Sequence, residues 1–285
     1  MTFSIVARGD DGSSWGVAVA SKFLAVGAAV PAAEAGTGAL ATQSYANLTY
    51  RPEGLRMLRE GHSAGATVDA LTAPDARRDV RQLGVVDRHG RAASFTGSGC
   101  HPWAGGRTGR AYAAQGNILV GPEVLDAMET AWQGADSATP LATRLLAALA
   151  AGDTAGGDRR GRQSAALLVV SPDSGYGGGS DVLVDLRVDD HEAPVDELGR
   201  LLELHELYFG RPDPASLLRL DGALSQEVRD RLTGLGHAAG DLDAALASWA
   251  GIENLEERLV RGRIDPLVLG RLRRAHASRP PGESP

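Results

Sequence analysis

Thr2-Phe-Ser-Ile-Val-Ala-Arg8, the turn Gly9-Asp-Asp-Gly12 and Trp15-Gly-Val-Ala-Val-Ala-Ser21-Lys22 form the stretch whose reading decides the fold. Phe3, Ile5 and Ala7 alternate with Ser4, Val6 and Arg8; Trp15, Val17 and Val19 alternate with Gly16, Ala18 and Ala20. Two such runs on either side of an Asp-Gly turn predict a hairpin. Gly38-Ala-Leu-Ala-Thr-Gln43-Ser44 predicts a third strand that closes on small polar residues. The first strand starts at residue 2, where chain ends are ordinarily frayed. A central-looking strand in that position suggests that the end itself has a task.

That task turns on Thr2. A small second residue generally permits removal of Met1, and a chain then opening with Thr carries a hydroxyl nucleophile beside a free α-amine of reference pKa about 8. The other reading is that Thr2 is β-branched because a strand starts there. Ser4 and Ser21 are further hydroxyls on the same two strands.

A chain of 285 residues, 43% hydrophobic and 23% charged, predicts one larger and one smaller domain. A net charge of −7 argues against a nucleic-acid or anionic-membrane partner. The single cysteine, Cys100, excludes an intramolecular disulfide and fits a reducing compartment. No charged segment with an apolar core opens the chain and no apolar run approaches a membrane span, so a cytoplasmic location is expected. Lys22 is the only lysine, the other basic residues being arginines.

Further along, apolar spacing predicts helical segments between Pro52 and Leu71 with a break near Gly61-His-Ser63. Val80 to Val86 and Arg91 to Thr96 predict a second hairpin, closed by Asp87-Arg-His-Gly90. Gly97 to Arg110 reads as a long loop. Tyr112 to Asn117 is a short strand, and Pro122–Trp132 and Leu141–Ala151 are helices. Gly156-Gly-Asp158-Arg-Arg-Gly-Arg162-Gln163-Ser164 is a dense polar cluster that runs into the strand Ala165–Val170. Asp181 to Val188 is a last strand and Val195 to Tyr208 a helix. Hairpins without a βαβ fingerprint favour antiparallel sheets covered by helices, an α+β layered sandwich. Beyond the linker Gly210-Arg-Pro-Asp-Pro214, residues 215–277 read as helices without strands. The expected division is 1–210, 215–277 and a disordered tail at 278–285.

The motifs Thr2–Arg8, Gly16-Val-Ala-Val-Ala-Ser-Lys-Phe23, Ala25-Val-Gly27, Ala41-Thr-Gln43, Gln115-Gly-Asn117 and Gly157-Asp-Arg-Arg-Gly-Arg-Gln-Ser164 together resemble the DUF1028 family over about residues 1 to 195. That family is placed with the N-terminal-nucleophile hydrolase (Ntn) fold. The resemblance implies a four-layer αββα sandwich of two antiparallel sheets, often homo-oligomeric, with a small all-α C-terminal domain. The opening hairpin also resembles the start of proteasome β subunits. Residues 215–275, with Gly240-Asp-Leu-Asp243 and Glu253-Asn-Leu-Glu-Glu-Arg258, resemble the family's C-terminal module described as peptidoglycan-binding. Binding of a peptidoglycan fragment would require export by a route the sequence does not display.

The implied chemistry is amide hydrolysis of a small-molecule substrate. Thr2 would attack a carbonyl with its own amine as base. Lys22 would lower the amine's pKa and steady developing negative charge, or it is a solvated strand-end cation. Gln115 and Asn117 would donate to an oxyanion, or they terminate a strand. Asp158, Arg160, Arg162, Gln163 and Ser164 would bind a substrate carboxylate, or they form an ion-pair cluster. Ser21, Gln43, Ser44 and Asn47 sit where strands turn toward a cleft, capping being the alternative. Cys100 and His101 are read as structural. No metal-ligand spacing or phosphate loop is present, and no cofactor is expected. Some members of the family keep residues ahead of the position matching Thr2, so a second reading stands: a catalytically silent Ntn-like scaffold that binds a ligand or partner.

Overall fold

The computed structural model describes residues 2–238 and 240–278. Met1 and, apart from Ser278, the tail expected at 278–285 lie outside the described residues. The opening hairpin forms as its alternation predicts: β1 (Thr2–Arg8) and β2 (Trp15–Ser21) pair antiparallel, from Phe3 opposite Ala20 to Arg8 opposite Trp15. Asp11 closes the turn by accepting the backbone N–H groups of Ser13 and Ser14 at 2.7 and 2.9 Å.

The chain continues through α1 (Val26–Ala29), β3 (Pro31–Glu34), β4 (Gly38–Ser44), α2 (Tyr50–Arg59), α3 (Ala64–Thr72), β5 (Arg81–Asp87) and β6 (Ala92–Thr96). Then follow β7 (Gly105–Gly109), β8 (Tyr112–Asn117), α4 (Glu123–Gly134), α5 (Leu141–Thr154), β9 (Ser164–Val170), β10 (Val182–Val188) and α6 (Pro194–Phe209). One sheet has six strands in the order β10-β9-β2-β1-β8-β7, the other four in the order β3-β4-β5-β6. All the pairings are antiparallel.

Side-chain alternation turns these sheets into layers. Phe3, Ile5, Ala7, Ala18 and Ala20 point outward from the first sheet and pack against Leu125 and Met128 of α4, Leu145 and Leu149 of α5, and Leu198 of α6. Their neighbours Val6, Val17 and Val19 point the other way, onto Ala39, Ala41 and Val86 of the second sheet. That sheet's outer face, with Leu40, Leu83 and Val85, is covered by Tyr50 and Leu58 of α2 and Val68 and Leu71 of α3. The architecture is therefore helix, sheet, sheet, helix, the expected αββα sandwich. Because β1 lies inside the six-stranded sheet, both its faces are buried. Phe3 alone, 1% exposed, contributes about 2–3 kcal/mol by leaving water.

In the sandwich, β7, β3 and α1 depart from the sequence reading. The segment expected to be loop from Gly97 to Arg110 contains β7, whose Gly105 and Gly106 pair with Gly116 and Gln115. Glycine lacks the side chain that marks a strand, so residue preferences pass over it. β3 and the single turn of α1 are too short to show a period.

The chain divides into two compact units between Leu202 and Glu203, inside α6. The second unit contains α7 (Gly222–Gly234), α8 (Leu242–Ile252) and α9 (Pro266–Ala277), packed around Leu232, Leu246, Trp249, Leu269 and Leu272. The strandless reading of this region is corrected by β11 (Leu218–Arg219) and β12 (Arg263–Ile264), which pair with each other. Two-residue strands leave no alternation to detect. Among the described residues, no helix is long and apolar enough to cross a membrane.

Candidate functional site

Four strands of the larger sheet end together in polar residues. Ser21 of β2 pairs with Ser164 of β9, and Thr2 of β1 pairs with Asn117 of β8. The second sheet brings Gln43 and Ser44 from β4, opposite Gln82 and Arg81 of β5. Thr2 Oγ1 lies 3.1 Å from Ser21 Oγ, both hydroxyls being buried.

Between the sheets these side chains join one network. Ser4 Oγ donates to Gln43 Oε1 at 2.7 Å, and Gln115 Nε2 donates to Ser4 Oγ at 2.6 Å. Gln43 Nε2 donates to Gln82 Oε1 at 2.9 Å and lies 3.3 Å from the Thr2 carbonyl oxygen. Asn117 Nδ2 donates to the same Gln82 oxygen at 2.8 Å. Gln82 Nε2 in turn reaches the carbonyl of Gly116 at 2.7 Å, that of Gly105 at 3.1 Å and Thr96 Oγ1 at 3.0 Å. Buried amides are tolerated here because nearly every donor and acceptor is used. The exception is Gln115 Oε1, which has no hydrogen-bond partner among the described residues. It rests against Gly84, where a Cβ would stand 1.9 Å from it. The side chains that make up this network are neutral at any ordinary pH, so its electrostatics come from oriented dipoles.

The expected oxyanion donors Gln115 and Asn117 are thus both at this end, with their amide N–H groups directed at Ser4 and Gln82. Gln82, the hub, was missed by the sequence reading. The available sign was a glutamine directly before the apolar run Leu83-Gly-Val-Val86 in the same strand, since a polar residue in a covered strand must be satisfied by something.

Asp158 is buried beside the same strand ends. Its Oδ2 accepts the Lys22 backbone N–H at 2.8 Å, its Oδ1 accepts the Arg160 N–H at 2.8 Å, and the Arg160 guanidinium stands 3.3 Å away. Ser164 Oγ accepts the Val26 N–H at 3.1 Å and donates to the Phe23 carbonyl. Asp158 and Ser164 therefore pin the segment after β2 to the sheet. The Lys22 side chain itself is exposed. Arg162 reaches Asp153 at 2.8 Å on the surface, and the Gln163 carbonyl accepts the His191 N–H at 2.8 Å. Phe23, Leu24, Tyr45, Leu48 and Val120, all just past strands that end here, are exposed and give this end an apolar rim.

Asn47 belongs to a different centre. Its Nδ2 donates to Asp75 Oδ2 at 3.2 Å, where the Tyr50 hydroxyl also donates at 2.7 Å and Arg81 Nε at 2.9 Å. Arg81 holds the Asp75 carboxyl far below the usual carboxylate range, with the Arg77 N–H, Tyr50 and Asn47 adding to it against the opposing effect of burial. Burial, then the Asp75 contact, pushes the Tyr50 phenol above its usual range. The Cys100 thiol donates to the Arg81 carbonyl at 3.3 Å and burial pushes it up, while His101 Nε2 lies 3.4 Å from the Tyr45 hydroxyl. Among the described residues, no group of three or more His, Cys, Asp and Glu is placed to hold a metal ion.

Residues 2–198 match the model described as "Family of unknown function (DUF1028)", and residues 208–272 match the one described as "Putative peptidoglycan binding domain". No curated protein matches. The crystal structure of a DUF1028 protein from Silicibacter pomeroyi is 32% identical, with a TM-score of 0.65 over 79% of this chain and 92% of that one. Anbu (ancestral beta-subunit) from Yersinia bercovieri matches at 14% identity over 71% of this chain and 93% of that one, with a TM-score of 0.33. With its family model spanning both sheets of the sandwich, the chain belongs to the DUF1028 family.

Proposed function

We propose that the sandwich is an amide hydrolase of the N-terminal-nucleophile kind, with Thr2 as nucleophile once Met1 is removed. One observation carries the reading: the Thr2 hydroxyl lies 3.1 Å from the Ser21 hydroxyl at the end of a central strand, beside a net of neutral amides. A free Thr2 amine, a group whose reference pKa is about 8, takes the hydroxyl proton as Oγ1 bonds to the substrate carbonyl. The proton then passes to the leaving amine as the C–N bond breaks, and water hydrolyses the ester left on Thr2. Ser21, 3.1 Å from Oγ1, holds the hydroxyl oxygen in place and as a donor would leave the Thr2 proton to the amine. Lys22 and Arg160 supply two cations near the apolar rim, which suits a small acyl-amide that carries a carboxylate. Purified protein lacking Met1 is tested against a panel of such amides. Turnover retained by Thr2→Ser and lost by a folded Thr2→Ala supports the reading; turnover retained by Thr2→Ala removes it.

A second reading, a silent scaffold that binds a ligand, is favoured by one detail. The amide N–H groups of Gln115 and Asn117 are directed into the network rather than at an open oxyanion position. Under this reading residues 208–272 contribute binding of peptidoglycan fragments. Sedimentation of the full chain with insoluble peptidoglycan, unchanged in Thr2→Ala and accompanied by no amide turnover, would select it.

A further inference from the structure

The last strands of the two sheets, β6 and β7, run beside a cavity of about 610 Å³, within the size range of small-molecule sites. Its walls carry the hydroxyls of Ser94, Thr96, Ser98 and Thr108, the Cys100 thiol and the Trp103 indole. None of the described residues that line it is Asp, Glu, Lys, Arg or His. Burial keeps the thiol protonated by raising it above its ordinary range.

The walls are built by close packing. Neither Gly105 nor Gly106 has the positive φ that demands glycine. A Cβ at 105 would instead meet the Trp103 ring at 2.6 Å, and one at 106 would meet Ser94 Oγ at 2.5 Å. The two missing side chains make room for an aromatic ring and a hydroxyl. That hydroxyl is buried and has no hydrogen-bond partner among the described residues. Gln82, which donates to both Thr96 Oγ1 and the Gly105 carbonyl, fixes the wall from behind.

We propose that this cavity binds a neutral saccharide, or the neutral sugar part of a larger molecule. A sugar ring presents an apolar C–H face suited to Trp103 and a periphery of hydroxyls suited to Thr96, Ser98 and Thr108. An anion or cation would leave water with no opposite charge among the lining side chains, Arg107 over the Trp103 ring at 5.9 Å being paired with Asp126, and a wholly apolar ligand would strand their hydroxyls. The site stands independently of any chemistry at Thr2.

Calorimetric titration of the full chain with chitobiose, cellobiose and maltose tests it, with glucuronate and acetyl-trialanine amide as controls. Saturable uptake of at least one of the three sugars is expected, weakened at least tenfold by Trp103→Ala and by Ser98→Trp, with uptake of both controls at least tenfold weaker. Ser98 is exposed, so its tryptophan fills the cavity from the surface and carries the test if Trp103→Ala fails to fold. Absence of uptake of all three sugars, uptake unchanged in a folded variant, or equal uptake of either control overturns the proposal. In the last case, a peptide bound as well as the sugar would mean that the strand edges read an extended backbone.

Discussion

The Thr2 and Ser21 hydroxyls stand 3.1 Å apart, buried at the ends of neighbouring strands. In such a pair one oxygen donates and the other accepts, so Ser21 holds the Thr2 hydroxyl in place whichever of the two is the donor. Ser21→Ala takes one partner away from Thr2 and nothing from the sheet ladder. We expect turnover on an acyl-amide substrate to fall by about 10- to 100-fold, some 1.4–2.7 kcal/mol of barrier. Stability should fall by only about 1 kcal/mol, and Ser21→Thr should recover most of the rate. Steady-state kinetics beside a thermal melt checks this; an unchanged rate in Ser21→Ala would take the hydroxyl pair out of the mechanism.

Gln82 is predicted to matter more to stability than any other side chain of the amide network. It is fully buried and bonds to Gln43, Asn117, Thr96 and the carbonyls of Gly105 and Gly116. Gln82→Leu leaves all of these facing a methyl-bearing chain, and each buried polar group without a partner costs about 1–3 kcal/mol. A loss of about 3 kcal/mol or more is expected in urea unfolding. Gln163→Leu, at a half-buried position, should change stability by less than about 1 kcal/mol. Similar losses in the two variants would contradict the hub.

The contrast between these glutamines marks what the sequence could tell. Alternation in Phe3-Ser-Ile-Val-Ala7 and around the Asp-Gly turns displayed the hairpins, because burial on one face or the other writes itself into residue type every second position. Thr2, Ser21, Gln43, Gln115 and Asn117 were legible as polar strand ends, and the structure brings them to one end of the sandwich. Asn47 looked equivalent but turns to Asp75, since side-chain direction past a strand end is set by the next turn and not by spacing. Gln82 and Asp75 were invisible as partners because their contacts to Gln43, Asn117, Asn47 and Tyr50 join segments far apart in the chain. β7 was hidden by its glycines, and with it the cavity it borders.

The C-terminal unit rests on an internal ion pair. Arg258 and Asp265 meet at 2.6 Å with side chains 5% and 4% exposed, and Arg258 Nε also donates to the Leu207 carbonyl at 2.7 Å. Asp265 accepts the Leu267 N–H at 2.8 Å and so caps α9. Removing one partner leaves a buried charge alone, at a cost of about 3–5 kcal/mol. Arg258→Leu should therefore melt this unit early. Arg273→Leu, whose partner Glu227 is also part-exposed, should cost far less, since solvent screens an exposed pair. Far-UV circular dichroism melts of the full-length chain, with limited proteolysis locating the opened unit, check the ranking. Equal melts would show that the pair is replaceable.

Acid stability is expected to hinge on Asp75. Its carboxylate is held below its reference value of 3.8, first by Arg81 and then by the Arg77 N–H, Tyr50 and Asn47. Asp75 and Arg81 are each only 10% exposed, which shields the pair from solvent. As pH falls below 3.8 the unfolded chain takes up this proton before the folded one does. Stability contributed by Asp75 is therefore full above that value and is lost as pH falls toward the depressed folded value. Asp75→Asn cannot titrate, so its stability deficit should be largest at neutral pH and should narrow as the pH is lowered from 4 to 2. Tyr50→Phe keeps the Asp75–Arg81 contact and loses one hydrogen bond, so its deficit of about 1 kcal/mol should narrow far less over the same range. Thermal melts of the three proteins from pH 7 to pH 2 decide it: a constant gap between wild type and Asp75→Asn would mean that Asp75 is not ionised in the folded chain as the geometry requires.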